Sequence, residues 1–88
     1  MPERESIRQA LASILEEEMG EQYANLEDGK TLREELGLDS VDVVSIVSQV
    51  ERRFHIRLSH EELQGLVTVG DVLDLLLVKL SEPPAAAA

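Results

Sequence analysis

A serine at the start of a predicted helix is the side chain best placed for chemistry in this sequence. Ser40 lies within the segment Leu-Gly-Leu-Asp-Ser-Val-Asp at positions 36–42, where a glycine break and an aspartate come directly before a helical pattern. The unpaired amides and the positive dipole end of a helix N-terminus favour phosphate groups. Ser40 is therefore a candidate for carrying a phosphodiester. The same local pattern also fits an ordinary serine at a helix start.

The two histidines offer no base for catalysis at Ser40. His55 lies at the opposite end of the same predicted helix, roughly 20 Å away at a rise of about 1.5 Å per residue. We expect His55 to be a surface residue stabilised by the helix C-terminus, and His60 to be exposed. A hydrolase using Ser40 would lack a base. Glu61 and Glu62 do not have the spacing of metal ligands, so we predict neither a catalytic site nor a metal site.

Charge and cysteine content narrow the classes of function. Eighteen acidic residues stand against eight basic ones in 88 residues, a net charge of -10. This charge argues against nucleic acids and anionic membranes, and it favours partners with basic surfaces. The chain has no cysteine, and its longest apolar run, at 75–78, is too short to span a bilayer. We expect a cytoplasmic protein, a monomer, without membrane insertion.

Apolar periodicity predicts three long helices. The first should run from about Glu3 to Met19 and stop at Gly20, with the buried stripe Ile7, Leu11, Ile14 and Leu15. The second should begin at Asp39 or Ser40 and end near Arg53, with the stripe Val43, Ile46, Val47, Val50 and Phe54. The last should carry the stripe Val69, Val72, Leu73, Leu76 and Leu80. Asp39 is the expected N-cap of the second helix.

Shorter signals complete the predicted fold. Residues 21–39 form a long connection, with Asn25 and Gly29 as turn formers and with the apolar anchors Leu26, Leu32, Leu36 and Leu38. Capping-box spacing predicts one helical turn from Thr31, paired with Glu34, and a short third helix after Ser59. Thr68 and Asp71 predict the start of the last helix in the same way. The result is an all-α bundle of three main helices plus one short helix, with a domain at 1–82 and a flexible Pro/Ala tail at 83–88.

The segment around Ser40 resembles the attachment motif of acyl carrier proteins, a Leu-Gly-x-Asp-Ser-Leu-Asp pattern. The likeness continues through the helix end at 50–54, the segment 56–59 and the start of the last helix at 68–71, covering roughly residues 5 to 80. It implies that Ser40 receives 4′-phosphopantetheine from coenzyme A through a separate phosphopantetheinyl transferase. The thiol of this arm would carry acyl groups as thioesters in fatty acid, polyketide or related lipid biosynthesis, and the carrier itself would not be an enzyme.

Helical periodicity places Val41, Val44, Ser45 and Ser48 opposite the buried stripe of the second helix, so two valines should be exposed next to Ser40. We expect partner enzymes, which are acyl-transferring and chain-elongating enzymes with basic docking patches, to bind this surface, with Asp39 and Asp42 meeting their basic residues. The resemblance gives a second candidate site. An acyl chain is expected between the second and third helices, in a site lined by Val43, Ile46, Val47, Val50, Phe54, Leu58, Leu66 and Leu73. These apolar residues are expected to form the core in any case.

Some residues depart from the family pattern, and other functions stay open. Ser45 stands where fatty-acid carriers usually have Glu, and Arg52 and Arg53 interrupt the usual acidic run, which favours a specialised pathway over housekeeping fatty acid synthesis. A carrier of aminoacyl, D-alanyl or peptidyl groups would use the same arm, although Asp39 before Ser40 favours acyl groups. An acidic helical adaptor that never receives an arm is the alternative from a different class.

Overall fold

The computed structural model describes residues 3–23 and 26–81, which form an all-helical fold. Its helices are α1 (Arg4–Met19), α2 (Ser40–Phe54), α3 (His60–Gln64) and α4 (Val69–Ser81). Within the described ranges, the only extended pairing is an isolated bridge between Thr31 and Thr68. The predicted bundle of three main helices and one short helix is therefore confirmed. Asn25, a predicted turn former, and the predicted tail at 83–88 lie outside the described residues.

The core lies where α1 packs against α2 and α4. Its buried side chains are the predicted helical stripes and loop anchors: Ile7, Leu11, Ile14, Leu15, Leu26, Leu32, Leu38, Ile46, Val50, Val69, Leu73 and Leu76. Val43, Phe54, Val72, Leu80 and the loop residue Leu36 are partly buried against them. Each fully buried aliphatic side chain contributes about 1.5–3 kcal/mol, so an aliphatic core with a single phenylalanine can hold a domain of this size.

The ends of α1 and α2 lie at or within one residue of the predicted positions, but the residue that caps the end of α2 was not predicted. Gly20 takes a left-handed φ of 74° and its amide donates to the Glu16 carbonyl, which ends α1 as predicted. α2 runs one residue beyond the predicted end, to Phe54, and His55 then adopts a left-handed φ of 56°. Glycine or asparagine usually adopts that conformation, so a histidine here does not indicate a helix cap from residue type.

The predicted capping boxes of α3 and α4 are present. The Ser59 hydroxyl accepts from the Glu62 amide at 3.1 Å, and the Glu62 carboxylate accepts from the Ser59 amide at 2.7 Å. The Asp71 carboxylate accepts from the amides of Thr68 and Val67, both at 3.0 Å. Hydrogen bonds from these two amides lower the pKa of Asp71, because they stabilise its ionised form.

The long connection between α1 and α2 is bonded to the start of α4. The Leu32 amide donates to the Val67 carbonyl at 2.9 Å, and the Gly70 amide donates to the Asp28 carbonyl at 2.8 Å. Gly70 permits this close approach, since a Cβ there would lie 3.2 Å from the Asp28 carbonyl oxygen. With Leu26, Leu32 and Leu38 buried, the part of the connection from residue 26 to residue 38 is anchored to the core.

The predicted turn at Thr31 forms, but its partner is Glu35 and not Glu34. The Thr31 hydroxyl accepts from the Glu35 amide at 3.1 Å, and the Glu35 carboxylate accepts from the Thr31 amide at 3.0 Å. The Thr31 carbonyl also accepts from the amides of Glu35 and Leu36. These bonds span four and five residues, so the exchange falls one position beyond capping-box spacing.

Two arginines of α1 join the connection and α4. Arg4 contacts both Asp28 and Asp74 at 2.7 Å, and Arg8 contacts Asp28 at 2.6 Å. Arg8 also donates to the Leu26 carbonyl at 2.6 Å. Hydrogen bonds from Arg4 and then Arg8 lower the pKa of Asp28. This network fixes the N-terminal end of α1 against a loop whose other end leads to Ser40.

Candidate functional site

Ser40 is the first residue of α2, and its side chain is exposed. Asp39 caps the helix as predicted: its carboxylate accepts from the Asp42 amide at 2.9 Å. The Asp42 carboxylate accepts in return from the Asp39 amide at 3.2 Å. The reciprocal box fixes the backbone on both sides of Ser40. The hydroxyl therefore stands at a rigid helix start where another protein can reach it.

The turn before α2 sets the position of this helix start. Gly37 has a left-handed φ of 73°, which glycine adopts without strain. The chain then returns on itself, since the Leu38 amide donates to the Leu32 carbonyl at 3.0 Å. Leu32 and Leu38 are both buried. Ser40 thus follows two core anchors by only a few residues, which ties its location to the core of the bundle.

An arginine that the sequence did not single out contacts Ser40. The Arg33 guanidinium donates from Nη2 to the Ser40 hydroxyl oxygen at 3.0 Å. Both side chains are exposed. Arg33 precedes Ser40 by seven residues, across the turn at Gly37, so no helical or strand periodicity relates the two positions. Only the folded turn brings them together.

The predicted partner surface surrounds Ser40 along α2. Val41 and Val44 are 72% and 60% exposed, and they lie close together on one side of α2. Asp39 and Ser48 are also exposed, whereas Asp42 and Ser45 are half-buried. The side of α2 next to Ser40 therefore presents two carboxylates, two hydroxyls and two exposed valines. A surface of this kind suits a partner that offers apolar contact and positive charge.

A small aliphatic cavity of about 30 Å³ lies inside the bundle. Its lining includes the predicted acyl-site residues Val43, Ile46, Val47, Val50, Leu58 and Leu66. The other walls come from residues that were not among the predicted acyl-site residues: Leu11, Leu15, Leu32, Leu38, Val72, Leu75 and Leu76. Four of these residues, Leu11, Leu15, Val72 and Leu76, belong to the apolar stripes that the sequence predicts to be buried.

Two predicted lining residues do not line the cavity. Leu73 is completely buried within the core cluster, and Phe54 packs against that cluster from the last position of α2. The cavity also differs in place from the expectation. Its walls come from α1, α2, α4, the connection before α2 and the segments that flank α3, while no residue of His60–Gln64 itself takes part. The reason is that α3 has no buried residue.

The hydrogen-bond partner of the Ser40 hydroxyl among the described residues is Arg33 and not a histidine. His55 follows the C-terminus of α2 and His60 begins α3, and both are exposed. Across residues 3–23 and 26–81, no three His, Asp or Glu side chains gather as potential metal ligands. Among the helices described, none has the length and apolar character needed to cross a membrane.

Comparisons with known proteins agree on one family. A family model described as "Phosphopantetheine attachment site" matches residues 5–76. An acyl carrier protein of Saccharopolyspora erythraea is 35% identical over 75 residues, covering 85% of this chain and 79% of the relative. A meromycolate extension acyl carrier protein of Mycolicibacterium smegmatis is 35% identical over 85 residues, covering 97% of this chain and 86% of the relative.

A solved structure gives the same result for the fold. The crystal structure of an acyl carrier protein from Thermotoga maritima superposes with a TM-score of 0.81 at 31% sequence identity. The match covers 88% of this chain and 89% of that one. The arrangement of helices, and not only the motif at 36–42, is therefore shared with this relative.

The residues around Ser40 fit an attached phosphopantetheine. The Ser40 hydroxyl is exposed and its neighbouring carboxylates, Asp39 and Asp42, accept hydrogen bonds from backbone amides. A guanidinium already lies at hydrogen-bond distance from the hydroxyl oxygen. A phosphate on this oxygen would therefore meet a positive group and a helix N-terminus. The thiol at the end of such an arm would supply the thioester chemistry that a cysteine-free chain lacks.

Proposed function

The chain belongs to the acyl carrier protein family, and from this premise we propose that it holds acyl intermediates as thioesters on a 4′-phosphopantetheine arm at Ser40. Proteins of this family are carriers without a catalytic site of their own. The observation that carries the assignment of the attachment site is the exposed Ser40 hydroxyl at the capped start of α2. We propose fatty acid, polyketide or related lipid biosynthesis as the setting, with the protein acting as a cytoplasmic monomer.

Ser40 supplies the oxygen of the new phosphodiester. Its Oγ forms the bond to phosphorus while the pyrophosphate bond of coenzyme A breaks, and adenosine bisphosphate leaves with the electron pair. The hydroxyl proton passes to a base of the phosphopantetheinyl transferase, because the hydrogen-bond partner of the Ser40 hydroxyl in this chain is Arg33, which has no acceptor for a proton. Ser40 and the capped helix start therefore act as a presented nucleophile, and the transferase supplies the catalytic groups.

Intact-mass measurement tests the attachment. The purified chain, incubated with coenzyme A and a broad-specificity transferase, should gain one phosphopantetheine. Ser40→Ala should gain none. Ser13→Ala is the matched control, because Ser13 is an exposed serine of α1, outside the partner surface, and it should be modified like the parent. A parent chain that gains no mass, or a Ser40→Ala chain that still does, would contradict the proposal.

The exposed valines and carboxylates beside Ser40 support a docking surface for the transferase and for acyl-transferring enzymes. Val44→Arg is the cleanest test, since Val44 is 60% exposed and its replacement leaves the capping box intact. Asp42→Arg is less selective because Asp42 also takes part in that box. We expect Val44→Arg to raise the KM for transfer several-fold without changing the helical circular dichroism.

A matched control for the docking surface lies on α4. Val78 is 58% exposed, so Val78→Arg makes the same change of size and charge on a different helix. Its KM should equal that of the parent chain. Equal KM values for Val44→Arg and Val78→Arg would count against docking at α2.

We also propose that the acyl chain enters the aliphatic cavity between α2, α4 and the segments flanking α3. The cavity of about 30 Å³ has room for one or two water molecules, so it must expand to receive an acyl chain. Methyl resonances of Val47, Leu58 and Leu66 should shift when an octanoyl group replaces the free thiol. Shifts confined to the surface around Ser40 would show that the acyl chain stays outside.

Loading assays distinguish acyl from aminoacyl cargo. The holo chain should accept malonyl or longer acyl groups from acyltransferases, and it should remain unloaded by amino-acid adenylating enzymes. Ser45, Arg52 and Arg53, which depart from the pattern of housekeeping carriers, support a specialised pathway. Comparable loading by a housekeeping fatty acid synthase and by specialised acyltransferases would remove that support.

A further inference from the structure

We infer that Arg33 is a positioning residue for the arm, pairing with the phosphodiester that forms on Ser40. The inference rests on the proposed attachment at Ser40 and adds a role for a residue in the loop before α2. In the unmodified chain, Arg33 Nη2 already donates to Ser40 Oγ at 3.0 Å. The anionic oxygens of a phosphate on Oγ lie two bonds beyond this atom, through phosphorus, so a change of side-chain rotamer suffices for Arg33 to reach them.

The backbone holds Arg33 in this place. Leu32, its neighbour, is buried, and the Leu32 amide donates to the Val67 carbonyl. The Leu32 carbonyl accepts from the Leu38 amide at 3.0 Å, which closes the turn between Arg33 and Ser40. The guanidinium therefore extends from an anchored turn and not from a free loop. An anchored side chain loses less conformational freedom when it binds an anion.

The charges around Ser40 leave Arg33 available for a phosphate. Within the described residues, Arg33 forms no ion pair, and Ser40 is its hydrogen-bond acceptor. The nearest carboxylates in sequence to Ser40, Asp39 and Asp42, accept from backbone amides. A guanidinium has five N–H donors and matches phosphate geometry. Its remaining donors can thus bind the new anion.

The negative net charge of the chain favours an ion pair between Arg33 and the phosphodiester. The formal charge is -10, and each phosphodiester adds one more negative charge. A charge-assisted bond to Arg33 would offset the local repulsion. It would also restrain the first atoms of the arm at the start of α2, so that the swinging part begins beyond the phosphate.

Nuclear magnetic resonance of the apo and holo chains tests the inference without any acyl-transfer assay. On conversion to the holo form, the Arg33 side-chain Nε–H resonance should shift and exchange more slowly with water. The ³¹P resonance should report a restrained phosphate in the parent chain. In Arg33→Gln it should move toward the shift of a free phosphodiester, with relaxation indicating faster motion. Arg33→Lys, which keeps the charge but not the planar fork, should give an intermediate shift.

The matched control is Arg52→Gln. Arg52 is exposed near the other end of α2 and forms no ion pair within the described residues, so the change in net charge is the same. Its ³¹P resonance should equal that of the parent. Circular dichroism of Arg33→Gln should match the parent. If Arg33→Gln unfolds, two other measurements test the inference: the shift of the Arg33 Nε–H resonance between the apo and holo parent chains, and the ³¹P spectrum of Arg33→Lys.

The outcomes separate this inference from the proposed function. A chain that gains the arm but shows the same ³¹P resonance in the parent, Arg33→Gln and Arg52→Gln would overturn the role of Arg33 and leave the carrier assignment intact. An unshifted Arg33 Nε–H in the holo parent would do the same. A parent chain that gains no arm fails earlier, in the mass measurement, and refutes the attachment itself.

Discussion

Replacement of Asp39 separates helix capping from partner docking, because this carboxylate lies in both. It accepts from the Asp42 amide at 2.9 Å, and Asp39 is exposed directly before Ser40. Asp39→Ala removes the acceptor and the charge. Asp39→Asn removes the charge but keeps an oxygen that caps about as well. The pair of variants therefore assigns each effect to one property of the side chain.

The expected stability change follows from the cap. Loss of the acceptor in Asp39→Ala leaves the Asp42 amide without its partner and should cost about 1 kcal/mol. An 88-residue domain is stable by roughly 4–13 kcal/mol at about 0.05–0.15 kcal/mol per residue. The variant should therefore remain folded, with a melting temperature lower by about 4–8 °C. Asp39→Asn should lose less, since only the interaction with the helix dipole is removed.

The expected docking change follows from the charge. Both variants remove a negative charge next to Ser40, so both should raise the KM of the phosphopantetheinyl transferase at low salt. Added salt should reduce the difference from the parent, because ions screen exposed charges beyond about 10 Å at 0.1 M. The turnover of bound complex should change less than KM, since Ser40 itself is unaltered.

Thermal denaturation followed by circular dichroism measures the first effect, and transferase kinetics at two salt concentrations measure the second. If Asp39→Ala melts with the parent, the capping argument fails. If Asp39→Asn has the KM of the parent at low salt, electrostatic docking at this carboxylate fails. A lower melting temperature and a higher KM in Asp39→Ala, together with a higher KM but a smaller loss of stability in Asp39→Asn, would support both arguments.

Three further predictions concern stability. His55→Gly should stabilise the fold by roughly 0.5 kcal/mol. The left-handed backbone at His55 costs about 1–2 kcal/mol of strain, and its relief exceeds the conformational entropy that glycine loses on folding. An unchanged or lower melting temperature would contradict this prediction. In the folded chain, Arg4 and Arg8 lower the pKa of Asp28. The ionised Asp28 therefore stabilises the fold above its unfolded pKa of about 3.9, and this stabilisation is lost as the pH falls through the lower folded pKa. Urea midpoints measured across this acid range should decline less for Asp28→Asn than for the parent chain, and equal declines would exclude the effect. Leu76→Ala should cost about 2–5 kcal/mol, because Leu76 is fully buried and lines the cavity; a smaller change in the urea midpoint would mean that the bundle closes around the gap.

Much of the fold was accessible from local patterns. The stripe at Ile7, Leu11, Ile14 and Leu15 predicted the buried face of α1, and all four residues are in the core. Asp39, Ser59 and Thr68 predicted helix starts because a capping side chain acts within its own few residues. Ser40 could be placed at a helix N-terminus for the same reason. The two exposed valines of α2 were also foreseen, since helical period alone separates them from the apolar stripe.

The differences from expectation arise from contacts between distant parts of the chain. The lining of the cavity differs from the set of predicted acyl-site residues at Leu73, Phe54, Leu11 and Leu75, since the rotation of α4 against α1 and α2 decides which apolar residues face the cavity. The hydrogen-bond partner of Thr31 is Glu35, whereas the capping-box spacing had predicted Glu34. The turn at Thr31 is also held by the bridge to Thr68. Helical or strand period does not predict either result, because both depend on how separate segments pack.

The sequence by itself therefore determined the helices, their buried faces and the exposed Ser40 at a capped helix start, because these depend on period and on capping within a few residues. Tertiary structure alone decided the shape of the cavity and the contact of Arg33 with Ser40 at 3.0 Å. That contact requires the turn closed by Leu38 and Leu32, whose position depends on the packing of both leucines in a core built from all three long helices.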